Sequence, residues 1–120
     1  MPVYNAEDYL AEACDCILNQ THEDIELICV DDGSTDTSFK ILNDIADNDS
    51  RVCVFHQENR GGGAARNFAL QKVTGKYLYF MDADDRVELN AFEEFYAVST
   101  ENDLDFVIFY VYYISEYRNR

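Results

Sequence analysis

Apolar positions along this chain fall into short blocks separated by polar, turn-forming stretches. Residues 25–30, apolar except for Glu26, read as a strand, as do 52–55 and the five apolar or aromatic residues 77–81. Between residues 6 and 18, Tyr9, Leu10, Ala13, Ile17 and Leu18 recur at three- and four-residue spacing, which predicts a helix. Asn5 is its N-cap candidate, and Glu7 and Asp8 fall in its first turn. Further helices are expected from 38 to about 47, capped by Ser34 or Asp36, from 64 to about 73 after three glycines, and over 89–99. Pro2 biases residues 1–5 toward an extended start, and a last apolar strand is expected over 105–113. Strands alternating with helices in this way form βαβ units. The fold class is therefore α/β: a mostly parallel sheet with right-handed crossovers and helices on both faces.

The run 77–81 has the continuous apolar character of a strand buried on both faces, and it opens directly into Asp82-Ala83-Asp84-Asp85. Ligands of open α/β sheets bind at the carboxyl ends of strands. Clustered carboxylates repel one another unless a cation sits among them, and Mg²⁺ takes one or two carboxylates together with substrate phosphates. Asp82-Ala83-Asp84 is thus a candidate metal and nucleotide anchor; the plain alternative is a solvated turn capping the next helix. Two other strand-end stretches should reach the same rim: Asp31-Asp32-Gly33-Ser34 and the loop 59–67. Asp32 is able to accept the ring N–H of a uracil-like base. Glycines 61–63 let backbone approach a phosphate or sugar, the following helix start favours anions, and Arg66 supplies a planar cation. Taken singly, each also reads as a turn, a connector or a solvated charge.

Composition narrows the choice. The chain is 120 residues, one domain at most, with 48% hydrophobic and 14% aromatic residues, enough for a packed core. A net charge of −15 argues against nucleic acid as a partner and against docking on anionic lipid through a basic patch. Exposed charges are screened beyond roughly 8 Å at physiological salt, so local groups decide whether an anionic ligand binds. No basic stretch followed by an apolar run marks a signal peptide, and the apolar run 106–114 is too short to span a bilayer as a helix. Asn19-Gln20-Thr21 matches a glycosylation sequon by chance in that reading, which points to a cytoplasmic location. Cys14, Cys16, Cys29 and Cys53 lack zinc-site spacing and are expected to be small buried thiols. His22 and His56 are expected to be incidental, His56 at a strand end away from the acids.

Four motifs in order carry a resemblance: Pro2-Val3-Tyr4-Asn5; Val30-Asp31-Asp32-Gly33-Ser34-Thr35-Asp36; Asn59-Arg60-Gly61-Gly62-Gly63-Ala64-Ala65-Arg66-Asn67; and Asp82-Ala83-Asp84-Asp85. From Met1 to about Ala91 they resemble the family 2 glycosyltransferases in order and spacing. The resemblance implies a GT-A fold and an inverting, metal-dependent transfer of a sugar from a nucleotide-diphosphate sugar, by family habit a UDP-sugar, to a glycan or lipid-linked acceptor. It implies that Pro2, Tyr4 and Asp32 border the base and that Arg66 lies beside the nucleotide. Asp82 would meet the ribose or diphosphate, and Asp84 would hold Mn²⁺ or Mg²⁺. Peripheral attachment of the whole protein at the inner face of a membrane, and homo-oligomerisation, are left open by it.

Two departures from the family pattern stand out. Family members carry an apolar first strand before Pro-Val-Tyr-Asn, central in the sheet between the strands ending at Asp32 and Asp82, whereas here only Met1 precedes Pro2. Losing it removes several buried side chains at roughly 1.5–3 kcal/mol each, against a natural stability of about 5–15 kcal/mol. Met1 is therefore expected to be internal to a longer chain, or another segment fills the gap. The family's general base lies well beyond the metal motif, in an acceptor-binding half past Arg120, so no catalytic residue is assigned. The segment is expected to bind nucleotide with metal and to transfer sugar poorly. The 120 residues read as the nucleotide-sugar-binding part of such a domain, apparently truncated at both ends.

Rival readings fare worse. A phosphorelay receiver needs a lysine at a later strand end, and none follows Lys76. Arg86 stands where a haloacid-dehalogenase-type motif wants Thr or Val, and Val87 where an EF-hand wants glycine. Gly75-Lys76 continues into Tyr77 without the P-loop's upstream glycine. A nucleotidyltransferase would carry a basic loop near its first strand. An inactive nucleotide-binding fragment is the remaining alternative.

Overall fold

The computed structural model describes residues 1–107. In chain order these form β1 (Pro2–Val3), α1 (Leu10–Leu18), β2 (Leu27–Asp32), α2 (Ser38–Asn48), β3 (Val52–Gln57), α3 (Gly62–Leu70) and α4 (Ala91–Glu101). The strands make one parallel sheet in the order β1-β2-β3, with Val3 opposite Asp31 and Asp32 opposite Gln57. Every residue of β2 is buried, and its side chains alternate between two cores. Leu27 and Cys29 join Val3, Leu10, Ala13, Ile17 and Leu42 on the face covered by α1 and α2. Ile28 and Val30 face the opposite way, against Ala65 and Ala69 of α3. Helices on both faces follow from right-handed crossovers: a helix that changes face carries the chain back across the sheet. That return delivers residues 77–85 to the rim.

The expected strand over 77–81 is absent. Those residues form no ladder; Leu78 is 51% and Phe80 52% exposed, and only Met81 is fully buried. A strand exists only if an edge pairs with it, and β1, whose unpaired side is the edge available, is only two residues long. Of the strand expected over 105–113, residues 105–107 are not strand and the rest lies outside the described residues. Helix α1 begins later than expected because the amides before it are taken elsewhere. Ala6 N–H donates to Ser38 Oγ at 2.9 Å and Glu7 N–H to Asp36 Oδ2 at 3.2 Å. Asn5 is no N-cap; its φ is 46° and its Oδ1 accepts from Thr35 N–H at 2.8 Å. Asp36 does serve α2, accepting from Ser38 N–H at 2.8 Å. The thiols divide: Cys14 and Cys29 are buried, Cys16 is half-buried, and Cys53, opposite Ile28 on the α3 side of the sheet, is left uncovered and exposed.

Without a ladder, the 74–92 segment is held at its two ends. Thr74 donates from its amide and hydroxyl to Glu26 at 2.5 and 2.8 Å. At the far end the buried Gln20 donates Nε2–H to Cys16 O at 2.8 Å and Glu88 O at 2.6 Å, and its Oε1 accepts from Phe92 N–H at 3.0 Å. One side chain thus caps α4 across 72 residues of sequence and anchors the chain just after the acidic motif. Gln20→Leu strands two carbonyls and one amide, so stability should fall by roughly 2–3 kcal/mol. In urea denaturation this lowers the midpoint with the slope unchanged; a change below about 0.5 kcal/mol, the ordinary scatter of surface substitutions, would show that Gln20 clamps nothing.

Candidate functional site

β2 ends in two carboxylates that its alternation sends to opposite faces. Asp31, on the α1/α2 side, is fully buried. Its Oδ2 accepts from Ser34 N–H at 3.3 Å and lies 2.8 Å from His56 Nδ1, while Oδ1 meets no donor among the described residues. The pair needs one proton between the two atoms, and with Nδ1 carrying it His56 donates to the carboxylate. His56 also leans on the Phe39 ring, with centroids 5.0 Å apart. It is therefore on the acids rather than away from them, because the ladder sets it directly opposite Asp31.

Asp32 faces α3 and is 3% exposed. Gln57 Nε2 and Arg60 N–H donate to its Oδ1 at 2.9 and 2.7 Å, and Gly61 N–H donates to Oδ2 at 2.9 Å. Burial pushes the Asp32 carboxyl up, but the Arg60 amide, the Gln57 amide and the Gly61 amide together hold it below the usual carboxylate range. Two amides of the loop entering α3 are thus taken by the chain itself. Gly61 adopts φ 95°, ψ 161°, a region essentially closed to other residues, and so turns its N–H toward Asp32. Gly33 has φ 73°, and a Cβ there would lie 2.8 Å from Asn59 N. The loops after β2 and β3 are in backbone contact.

Helix α3 carries the connection onward. From within α3, Arg66 pairs with Asp82, Nη2 to Oδ1, at 2.7 Å. Met81 and Ala83 are buried in the core under α1, which forces Asp82 and Asp84 outward. Asp85 N–H closes a turn onto Asp82 O at 3.1 Å. Carboxylate oxygens of Asp82, Asp84 and Asp85 consequently lie within 4.8 Å of one another. Burial first, and then Asp84 and Asp82, push the Asp85 carboxyl above its usual range. Asp85, to which the sequence alone assigns no separate role, is a member of this cluster; the turn, rather than strand alternation, brings it in. An all-oxygen donor set of this kind fits a hard divalent cation.

Of the other expected site residues, Pro2 is half-buried opposite Val30, and Tyr4 is 51% exposed just beyond the Val3–Asp31 pair. Tyr4 therefore sits at the same carboxyl-terminal rim as Asp32. Asp32, Arg66 and Asp82 are linked through the start of α3, and Asp84 adjoins them. The open grooves around Leu18, Asn19 and Arg51 lie at the other, amino-terminal end of β3 and share no residue with this rim.

The chain is similar to known proteins. The family model for Glycosyl transferase family 2 matches residues 1–120. Glycosyltransferase GlyG of Streptococcus pneumoniae serotype 4 is 45% identical over 109 residues, 90% of this chain and 36% of that protein. Staphylococcus aureus TarS 1-349 in complex with UDP superposes with a TM-score of 0.79 at 29% identity, covering 85% of this chain and 31% of TarS 1-349. Mannosyltransferase PcManGT from Pyrobaculum calidifontis, in complex with GDP-Man and Mn²⁺, gives 0.66 at 29% identity, covering 71% of this chain and 26% of its own. The chain spans about a third of the length of GlyG. The match leaves the receiver-domain reading without support. With its parallel α/β sheet in the GT-A arrangement, the chain belongs to glycosyltransferase family 2.

Proposed function

We propose that these 120 residues form the donor-binding part of an inverting, metal-dependent glycosyltransferase that takes a UDP-sugar and serves a glycan or lipid-linked acceptor. The observation that carries this reading is the bridge through α3: Asp32 holds the amides just before the helix, and Arg66 from inside it reaches Asp82. One rigid element thereby sets the distance between a buried acceptor and an acidic cluster, about the task of a site that grips a nucleotide at both ends. Support also comes from neighbours: TarS has been seen with UDP and with UDP-GlcNAc, and PcManGT with GDP-Man and Mn²⁺.

In this reading Asp32 accepts the imide N–H of the base, and Pro2 and Tyr4 border the ring. Arg66, already steadied by Asp82, turns its remaining N–H groups to the diphosphate. Asp84, with Asp82 and Asp85 beside it, would hold Mn²⁺ or Mg²⁺, which when bound offsets negative charge on the departing nucleoside diphosphate. Asp82 keeps its second oxygen for ribose or cation.

Titration of UDP into the protein with Mn²⁺ should show one site. Asp84→Asn should weaken it about tenfold or more, roughly 1.4 kcal/mol, and EDTA should bring wild type and variant to the same weak affinity. Equal affinity of the wild type with and without EDTA would remove the metal from the proposal. Arg66→Ala should cost UDP about tenfold or more, the scale of one hydrogen bond to a charged group, while leaving uridine binding unchanged. A parallel loss for uridine would place Arg66 away from the phosphates.

A further inference from the structure

Asp32 accepts three hydrogen bonds, and only one of them comes from a side chain. Arg60 N–H and Gly61 N–H arrive with the loop backbone; Gln57 Nε2 comes from β3, directly across the ladder from Asp32. A carboxylate has about four acceptor positions. On Oδ1 two are filled, by Gln57 and Arg60; on Oδ2 one is filled, by Gly61. One acceptor position is left, and it is on Oδ2.

We infer that Gln57 is a positioning residue for base recognition: by occupying Oδ1 it leaves Asp32 a single vacant acceptor position, on Oδ2, for a donor on the base edge. This rests on the reading that Asp32 meets the base. Gln57 itself makes no other side-chain hydrogen bond among the described residues, so its Oε1 and second N–H impose nothing that competes with that arrangement. With Gln57 gone, Oδ1 has a vacant acceptor position and only the two loop amides orient the carboxylate. A base N–H then has two alternative acceptors at different places and is no longer held to one. A base carrying no such N–H never used that acceptor and loses nothing.

That difference separates positioning from mere support of the loop. UDP and N3-methyl-UDP, which lacks the imide N–H, are titrated with Mn²⁺ into the wild-type protein, Gln57→Met and Gln57→Leu. Methionine keeps the length and removes the donor; leucine removes it with a shorter, uncharged side chain and serves should the first variant fold poorly. In the wild type UDP should bind about tenfold or more tighter than its methylated form, the scale of one hydrogen bond to a charged group. In both variants this ratio should collapse to about two- to threefold, chiefly because UDP weakens while N3-methyl-UDP holds its affinity. A ratio equal to the wild type's, or a proportional loss for both nucleotides, overturns the positioning role and leaves the proposed function standing. Absence of UDP binding by the folded wild type, or no discrimination by it, overturns the reading of Asp32 itself and the inference with it.

Discussion

Three donors from two segments converge on the carboxylate of Asp32, and most of the rim depends on that convergence. A buried carboxylate without partners is costly enough to unfold a small domain or to take up a proton. Here the cost is met by Gln57 across the ladder and by the amides of Arg60 and Gly61. Those amides open the loop into α3, so satisfying Asp32 also decides where α3 begins and how it points. Arg66 then reaches Asp82, and the acidic turn is placed relative to β2 without any strand pairing between them.

Charge acts locally here. The chain carries −15 overall, a field unfavourable to a nucleoside diphosphate at long range. Within the rim, however, Arg66 lies next to the acids, and Asp82, Asp84 and Asp85 supply the oxygens a divalent cation needs. An anion reaching the rim would meet Arg66 there, together with any divalent cation the acids hold, before it meets the bulk charge, which salt screens.

The α/β class and the converging strand ends were legible because alternating apolar blocks, glycines and carboxylates report local structure directly. The features that were not legible depended on partners distant in sequence. Residues 77–81 have a strand's composition, but composition says nothing about whether an edge is available to pair with. Asn5 looks like a cap until the loop containing Thr35 claims its side chain, and α1 starts at Leu10 because Ser38 and Asp36 draw off the amides of Ala6 and Glu7. Gln20 caps a helix that begins at Ala91, and His56 finds Asp31 only through strand register. Asp32, Arg66, Asp82 and Asp84 were nameable because each sits beside a turn signal; Gln57 and Asp85, which act with them, carry no such local mark.

The opposite facing of Asp31 and Asp32 has a consequence for how this strand can evolve. Side-chain period in a strand is two, so adding or deleting a single residue inside β2 exchanges the faces of everything beyond it. The His-paired acid would then confront the small alanines of α3, and the acid that orders the glycine loop would be driven into the aliphatic layer beneath α1. A change of length in this region would consequently be tolerated in the turns on either side rather than within β2, and the reading frame of the ladder is locked by two adjacent carboxyl side chains as firmly as by its hydrophobic residues.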